Sequence, residues 1–214
     1  ALTQVTELGV FAGPASATED CLYLNIFTAA GDNSGKKKPV IVWIHGGANV
    51  SGAAKDYDGS KLATGGPSGT PTVVVTINYR LGLLGFLSES HLNSEGHSWG
   101  NYGIMDTQAA LRWVQRNIAS FGGDPANVTL GGQSAGSINT SANLLSPASA
   151  GLFHRAITQS TPIASAYFTP AAAAVAVGDK FAAAAGCSTA ACLRELSTER
   201  IQQLQGTPAA NRPY

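Results

Sequence analysis

The sequence has no apolar run of the eighteen or so residues that a membrane span requires. It is also poor in charge, with 13 basic side chains balanced by 13 acidic ones. A balanced chain carries no electrostatic footprint for nucleic acid or an anionic membrane. Its one basic run, Lys36-Lys37-Lys38 between Gly35 and Pro39, reads as a solvated turn leading into a strand. The three cysteines are too few for a disulfide-built scaffold, and no second cysteine or histidine accompanies them at metal-ligand spacing. Neither a metal nor a cofactor is expected. Cys187 and Cys192, five residues apart, could close a small loop; Cys21 is either a buried thiol or pairs with a cysteine outside this chain. No basic and apolar leader stands behind Ala1, so the start is expected to be processed or cut.

The remaining composition, 44% apolar over 214 residues, is that of a core-forming globular protein. Three apolar β-type runs, 22–28 (LYLNIFT), 39–45 (PVIVWIH) and 72–78 (TVVVTIN), read as strands, the last two continuous enough to be covered on both faces. Asp32-Asn33-Ser34-Gly35 reads as a turn after the first run. A helical period comes next over 106–120, where Leu111, Val114 and Ile118 recur at three- and four-residue offsets before Gly122-Gly123-Asp124-Pro125, which reads as a turn ahead of the next strand. A strand at 128–130, a helix behind it, a strand at 155–160 and an alanine-rich helix over 171–185 complete the pattern; the tail from Gln205 has no period. Strands alternating with helices imply an α/β fold whose sheet is mainly parallel with helices on both faces. Its ligand site belongs at the carboxyl ends of the strands.

Two sequence features fall at such ends. Gly132-Gln133-Ser134-Ala135-Gly136 is a G-x-S-x-G between a strand and a helix, where small neighbours let the backbone bend sharply and expose the Ser134 hydroxyl. His45-Gly46-Gly47-Ala48-Asn49 ends the PVIVWIH strand. Acyl transfer needs backbone N–H groups aimed at the oxygen that becomes negative, and the amides of Gly47, Ala48 and Ala135 would supply three.

The chain resembles the type B carboxylesterase/lipase family, the cholinesterase-like branch of the α/β hydrolases. The resemblance rests on Glu19-Asp20-Cys21-Leu22-Tyr23-Leu24-Asn25, Trp43-Ile44-His45-Gly46-Gly47, Asn78-Tyr79-Arg80, Gly100-Asn101-Tyr102-Gly103, FGGDPANVTLGGQSAGS at 121–137, Phe153-His154-Arg155-Ala156-Ile157 and Cys192-Leu193-Arg194, in the family's order. It implies an α/β-hydrolase fold, incomplete in this chain, with residues 1–214 as the nucleophile-bearing portion of one domain. It implies Ser134 as nucleophile, Gly47, Ala48 and Ala135 as oxyanion hole, a Cys187–Cys192 disulfide, and a structural ion pair of Arg80 with Asp106. The substrate implied is a small-molecule ester, and the form of the elbow resembles that of some fungal secreted esterases.

The departures matter as much. Gln133 stands where many members carry glutamate, which removes a carboxylate from the pocket and weakens the case for a cationic substrate. Asn49 stands where an aromatic residue is usual and reshapes the acyl side of the pocket. The family's catalytic acid and histidine would lie beyond Tyr214, and the cysteine that pairs with Cys21 before Ala1. None of His45, His91, His97 and His154 occupies the position of a base. The expectation is therefore a serine carboxylesterase whose base and acid come from the remaining part of the hydrolase, as a second chain or segment. A lipase or sterol esterase is the alternative, and a non-catalytic cholinesterase-like binding domain is disfavoured by Ser134. Three N-glycosylation sequons, at Asn49, Asn127 and Asn139, agree with secretion.

Overall fold

The computed structural model describes residues 18–30, 35–96, 98–161 and 168–205. Residues 32–34 of the turn read at 32–35, His97 and all but the first residue of the tail read from Gln205 lie outside them. Among the described residues, strands β1 (Leu24–Phe27), β2 (Lys38–Ile44), β3 (Val73–Ile77), β4 (Gly123–Gln133) and β5 (Arg155–Gln159) form one sheet in the order β1-β3-β2-β4-β5. Only β1 runs antiparallel to its neighbour; β3, β2, β4 and β5 are parallel, so the expected mainly parallel sheet is present. The helices, in chain order, are α1 (Ser60–Ala63), α2 (Gly82–Phe86), α3 (Ser90–Asn93), α4 (Tyr102–Asn117), α5 (Ala135–Leu145), α6 (Ala171–Ala185), α7 (Ala190–Arg194) and α8 (Thr198–Gln205).

The pleat sorts the strands into two faces. Val40, Val42 and Ile44 of β2 lie beside Val73, Val75 and Ile77 of β3 and Val128 and Leu130 of β4, all buried. On this face Leu111 and Val114 of α4, with Ile118 just beyond, close the core at helical spacing. Each such fully buried aliphatic side chain contributes about 2 kcal/mol. The opposite face is thinly covered. A 3-10 turn (Ala54–Asp56) and α1 lie over it, with Tyr57 against Trp43 at 6.0 Å between ring centroids, and Gly59 close against Phe27 and Val74. Across β5 the cover stops: every residue of that strand is exposed, including Ile157.

A second apolar cluster gathers Leu83 of α2, Leu92 of α3, Phe181 and Ala182 of α6, Leu193 of α7, and Ile201 and Leu204 of α8. The alanine-rich segment is therefore a packed helix. The disulfide Cys187–Cys192 ties the end of α6 to α7, as the family resemblance implied.

Three local readings change. Lys38 is not in the solvated turn: it opens β2, buried, with Nζ donating to the Ala29 carbonyl at 3.4 Å, while Lys36 and Lys37 stay exposed. Gly123-Asp124-Pro125 is not a turn ahead of the strand but the start of β4, because Gly123 pairs with Lys38 across a register shift. The central helix starts at Tyr102 rather than 106 and gives way to a 3-10 turn (Ile118–Phe121). Its earlier start brings Asp106 under Arg80, whose backbone N–H, Nε and Nη2 all donate to that carboxylate at 2.8–2.9 Å.

Replacing Cys187 and Cys192 together by alanine frees a short loop in the unfolded chain. Chemical denaturation is expected to register a loss of about 2 kcal/mol.

Candidate active site

The parallel pairing of β2 with β4 runs to Ile44 opposite Gly132, so the two strands end side by side. Ser134 comes directly after β4, with φ 54° and ψ −124°, and caps α5. A non-glycine residue at positive φ is costly, roughly 1–2 kcal/mol, and persists only where its surroundings force it. Here the forcing is identifiable. The Ser134 amide donates to the Gln159 carbonyl on β5 at 2.9 Å, and its carbonyl accepts from the Ser137 and Ile138 amides and from Ser137 Oγ at 2.6 Å. Gly136 lies against the Ile44 carbonyl so closely that any side chain would overlap it, and Gly132 lies against Gly136 in the same way. The hydroxyl itself is left free: among the described residues Ser134 Oγ has no hydrogen-bond partner.

The loop at the end of β2 sits beside it. A Cβ on Gly46 would stand 3.2 Å from Ser134 Cβ and 3.1 Å from Gln133 Oε1. Gly47, Ala48 and Asn49 come next with φ of 109°, 53° and 57°, three left-handed residues in a row. This geometry turns the carbonyls away into partners: His45 O accepts from Tyr79 Oη at 2.9 Å, Gly46 O from His45 Nδ1 at 2.7 Å, Gly47 O from the Val50 and Ser51 amides, and Asn49 O from the Gly82 amide at 2.7 Å. Among the described residues the amides of Gly47 and Ala48 meet no acceptor. Ala135, first in α5, likewise has its N–H at the positive end of a helix. The arrangement brings together Ser134, Gly47, Ala48, Ala135 and Gln133. The carboxamide of Asn49 points to buried partners instead, accepting from Asn139 Nδ2 at 2.9 Å and lying 3.2 Å from Tyr79 Oη.

The described histidines do other things. His45 is buried and stacked on Tyr79 at 4.6 Å. Because Gly46 O is an acceptor, Nδ1 carries the proton, and Nε2 is buried without a partner among the described residues. Burial pushes the imidazole down to about 4, the bond to Gly46 opposing in part. His91 pairs with the buried Glu89, and His154 Nδ1 accepts from the Val128 amide at 3.2 Å. Cys21 is buried with no disulfide partner within this chain, and burial pushes its thiol pKa up. The sequon at Asn139 is buried and engaged, whereas Asn127 is half-exposed and accepts from Arg155 Nη1 at 2.6 Å.

Comparison with known proteins identifies the family. A family model described as "Carboxylesterase family" matches residues 3–213. The chain belongs to the carboxylesterase family. It is 47% identical over 193 residues to the medium-chain fatty acyl-CoA hydrolase precursor of Anas platyrhynchos, and 45% identical over 198 residues to liver carboxylesterase 1 of Oryctolagus cuniculus. Those matches take in 87% and 89% of this chain but 33% of each relative, so the chain spans about a third of their length. Among solved structures it is similar to the carboxylesterase EST55 of Geobacillus stearothermophilus. That match has a TM-score of 0.76 and 42% identity, over 87% of this chain and 39% of that one. The fold is therefore that of an α/β hydrolase. What sequence reasoning missed at this site is the set of buried polar supports, Tyr79, Asn139 and Gly82. They lie 30 to 90 residues from Asn49, and neither the Asn78-Tyr79-Arg80 stretch nor the sequon at Asn139 signals a contact with it.

Gly136→Ala is expected to drive β2 and α5 apart, at a cost above about 3 kcal/mol, seen as insoluble or unfolded protein. His45 has a folded pKa near 4 against 6.5 when unfolded, so its contribution is complete above pH 6.5 and lost as pH falls from 6.5 to 4. Denaturation at stepped pH is expected to lose up to about 3 kcal/mol across that window, and His45→Gln to flatten the slope.

Proposed function

We propose that this chain is the nucleophile-bearing portion of a serine carboxylic-ester hydrolase. The observation that carries the reading is an unpartnered Ser134 hydroxyl on a strained turn, beside a loop in which the carbonyls of His45, Gly46, Gly47 and Asn49 have partners and the amides of Gly47 and Ala48 meet no acceptor among the described residues. Ser134 Oγ attacks the ester carbonyl carbon as a histidine outside this chain takes its proton. The carbonyl oxygen becomes negative and accepts from the amides of Gly47, Ala48 and Ala135, each such donor being worth about 3 kcal/mol of barrier. Collapse of the tetrahedral species expels the alcohol, which receives the proton, and leaves an acyl group on Ser134. Water, activated by the same histidine, then releases the acid.

A carboxylate that orients the histidine is likewise assigned to the remaining part of the hydrolase. The exposed edge of β5 and the exposed Leu144 and Leu145 support a domain that continues beyond this chain. Gln133 beside the nucleophile contributes no charge, so a neutral ester suits the site better than a cationic one. A short or medium acyl chain is our reading, and the relative named for medium-chain acyl-CoA hydrolysis agrees with it. Secretion is inferred from the disulfide, with Asn127 the sequon best able to carry a glycan in the folded state.

A fluorophosphonate probe on the complete hydrolase is expected to label Ser134 and to label nothing in Ser134→Ala. The isolated 21.8 kDa chain, lacking the base, should turn over esters about six orders of magnitude more slowly than the complete hydrolase. Full activity of that chain alone overturns the assignment of the base.

A further inference from the structure

The donor loop is held in an unfavourable shape, and something outside it must hold it there. Ala48 and Asn49 are both non-glycine residues in the left-handed region, and Gly47 before them is at φ 109°. Left to itself such a segment relaxes, and a relaxed loop would no longer present its amides beside Ser134. The β2–β4 ladder ends at Ile44 opposite Gly132, before the loop begins. It fixes where the loop starts and not where Gly47 and Ala48 point.

We propose that Asn49 and Asn139 form a carboxamide clasp that positions the loop amides against the nucleophile helix, a role that rests on the acyl-enzyme reading above. Asn139 lies on α5, five residues after Ser134, with 1% of its surface exposed. Its Nδ2 donates to Asn49 Oδ1 at 2.9 Å. Asn139 is itself anchored: its carbonyl accepts from Asn143 Nδ2 at 2.9 Å. Asn143 also donates to Thr107 Oγ1 on α4 at 2.8 Å and accepts from Ser149 Oγ at 2.7 Å. The same Asn49 oxygen lies 3.2 Å from Tyr79 Oη, which donates to His45 O at the start of the loop. The clasp thus joins the far end of the donor loop to the helix that carries the third donor, Ala135, while Tyr79 holds its near end at His45.

Asparagine suits this position for two physical reasons. It tolerates the left-handed conformation better than other side chains with a β-carbon, and its short carboxamide carries an acceptor oxygen that meets Asn139 Nδ2. Asn49 and Asn139 are positioning residues: neither needs to touch the substrate. Their effect falls on the transition state, because only there does the substrate oxygen demand amides at closely fixed distances.

The test uses the complete hydrolase, with active sites counted by fluorophosphonate titration. Asn49→Gly keeps the left-handed backbone and removes the carboxamide; Asn139→Ala removes the donor. Each is expected to lower kcat per titrated site about tenfold or more with KM within about twofold of the original. The Ki of a trifluoromethyl ketone, whose adduct carries an oxyanion, should rise by the factor that kcat/KM falls. The double variant should be no worse than about twofold beyond the poorer single one, since both break one contact. A purely structural role would lower the count of titratable sites and leave kcat per site alone. The clasp is overturned by unchanged kcat per site in both variants, or by losses that multiply in the double. Should Asn139→Ala not fold, Asn49→Gly at its half-exposed position decides alone by the same readouts. Absence of Ser134 labelling in the original hydrolase overturns the acyl-enzyme reading, and the clasp with it.

Discussion

The parallel pairing of β2 with β4 is the contact on which the site depends. Its last rung, Ile44 opposite Gly132, makes two strands distant in sequence end at one height. The segments that leave the two strand ends are then forced into proximity: the Gly46 loop from one, Ser134 and α5 from the other. The closeness of the approach is set by Gly136, whose Cα sits against the Ile44 carbonyl where a methyl group has no room. The burial of Val40, Val42 and Ile44 beneath Leu111 and Val114 stabilises this pairing by several kilocalories, enough to hold Ser134 in a conformation that alone is unfavourable. The proposed chemistry thus draws on packing energy stored in the centre of the sheet.

The same contact explains the division of labour among the polar groups. Every loop carbonyl with an identified partner is bonded inward or sideways, to Tyr79, His45, Val50, Ser51 or Gly82, and the amides of Gly47 and Ala48 are what remains. A cluster of fixed N–H dipoles with no internal acceptor favours negative charge beside Ser134. His45 contributes as a neutral, buried group that fixes a peptide, and its depressed pKa keeps it uncharged where a cation would have no partner.

Much of this was legible in the sequence because it is local. Strands such as 39–45 and 72–78 have continuous apolar runs, and the elbow has a glycine on each side of its serine. Both signals need only a short window. The bend that follows β2 was legible through Gly46 and Gly47 for the same reason. Short helices such as α2, α3 and α7 were not, because four or five residues show no period and owe their shape to the second apolar cluster. The start of β4 was misread because Gly122-Gly123-Asp124-Pro125 has the composition of a turn. Its strand character comes from a bulged pairing with Lys38, some 85 positions away in the chain. The buried asparagines of α5 look like ordinary polar residues until Asn49 and Thr107 are seen beside them.

The central claim, that Ser134 and the amides of Gly47, Ala48 and Ala135 act on one reacting group, is tested most directly by a crystal structure of the complete hydrolase inactivated with a phosphonate ester. The account predicts a covalent bond from Ser134 Oγ to phosphorus, with the phosphonyl oxygen within about 3.1 Å of all three amide nitrogens. An adduct on another residue, or a phosphonyl oxygen turned away from the Gly47–Ala48 loop, would contradict it.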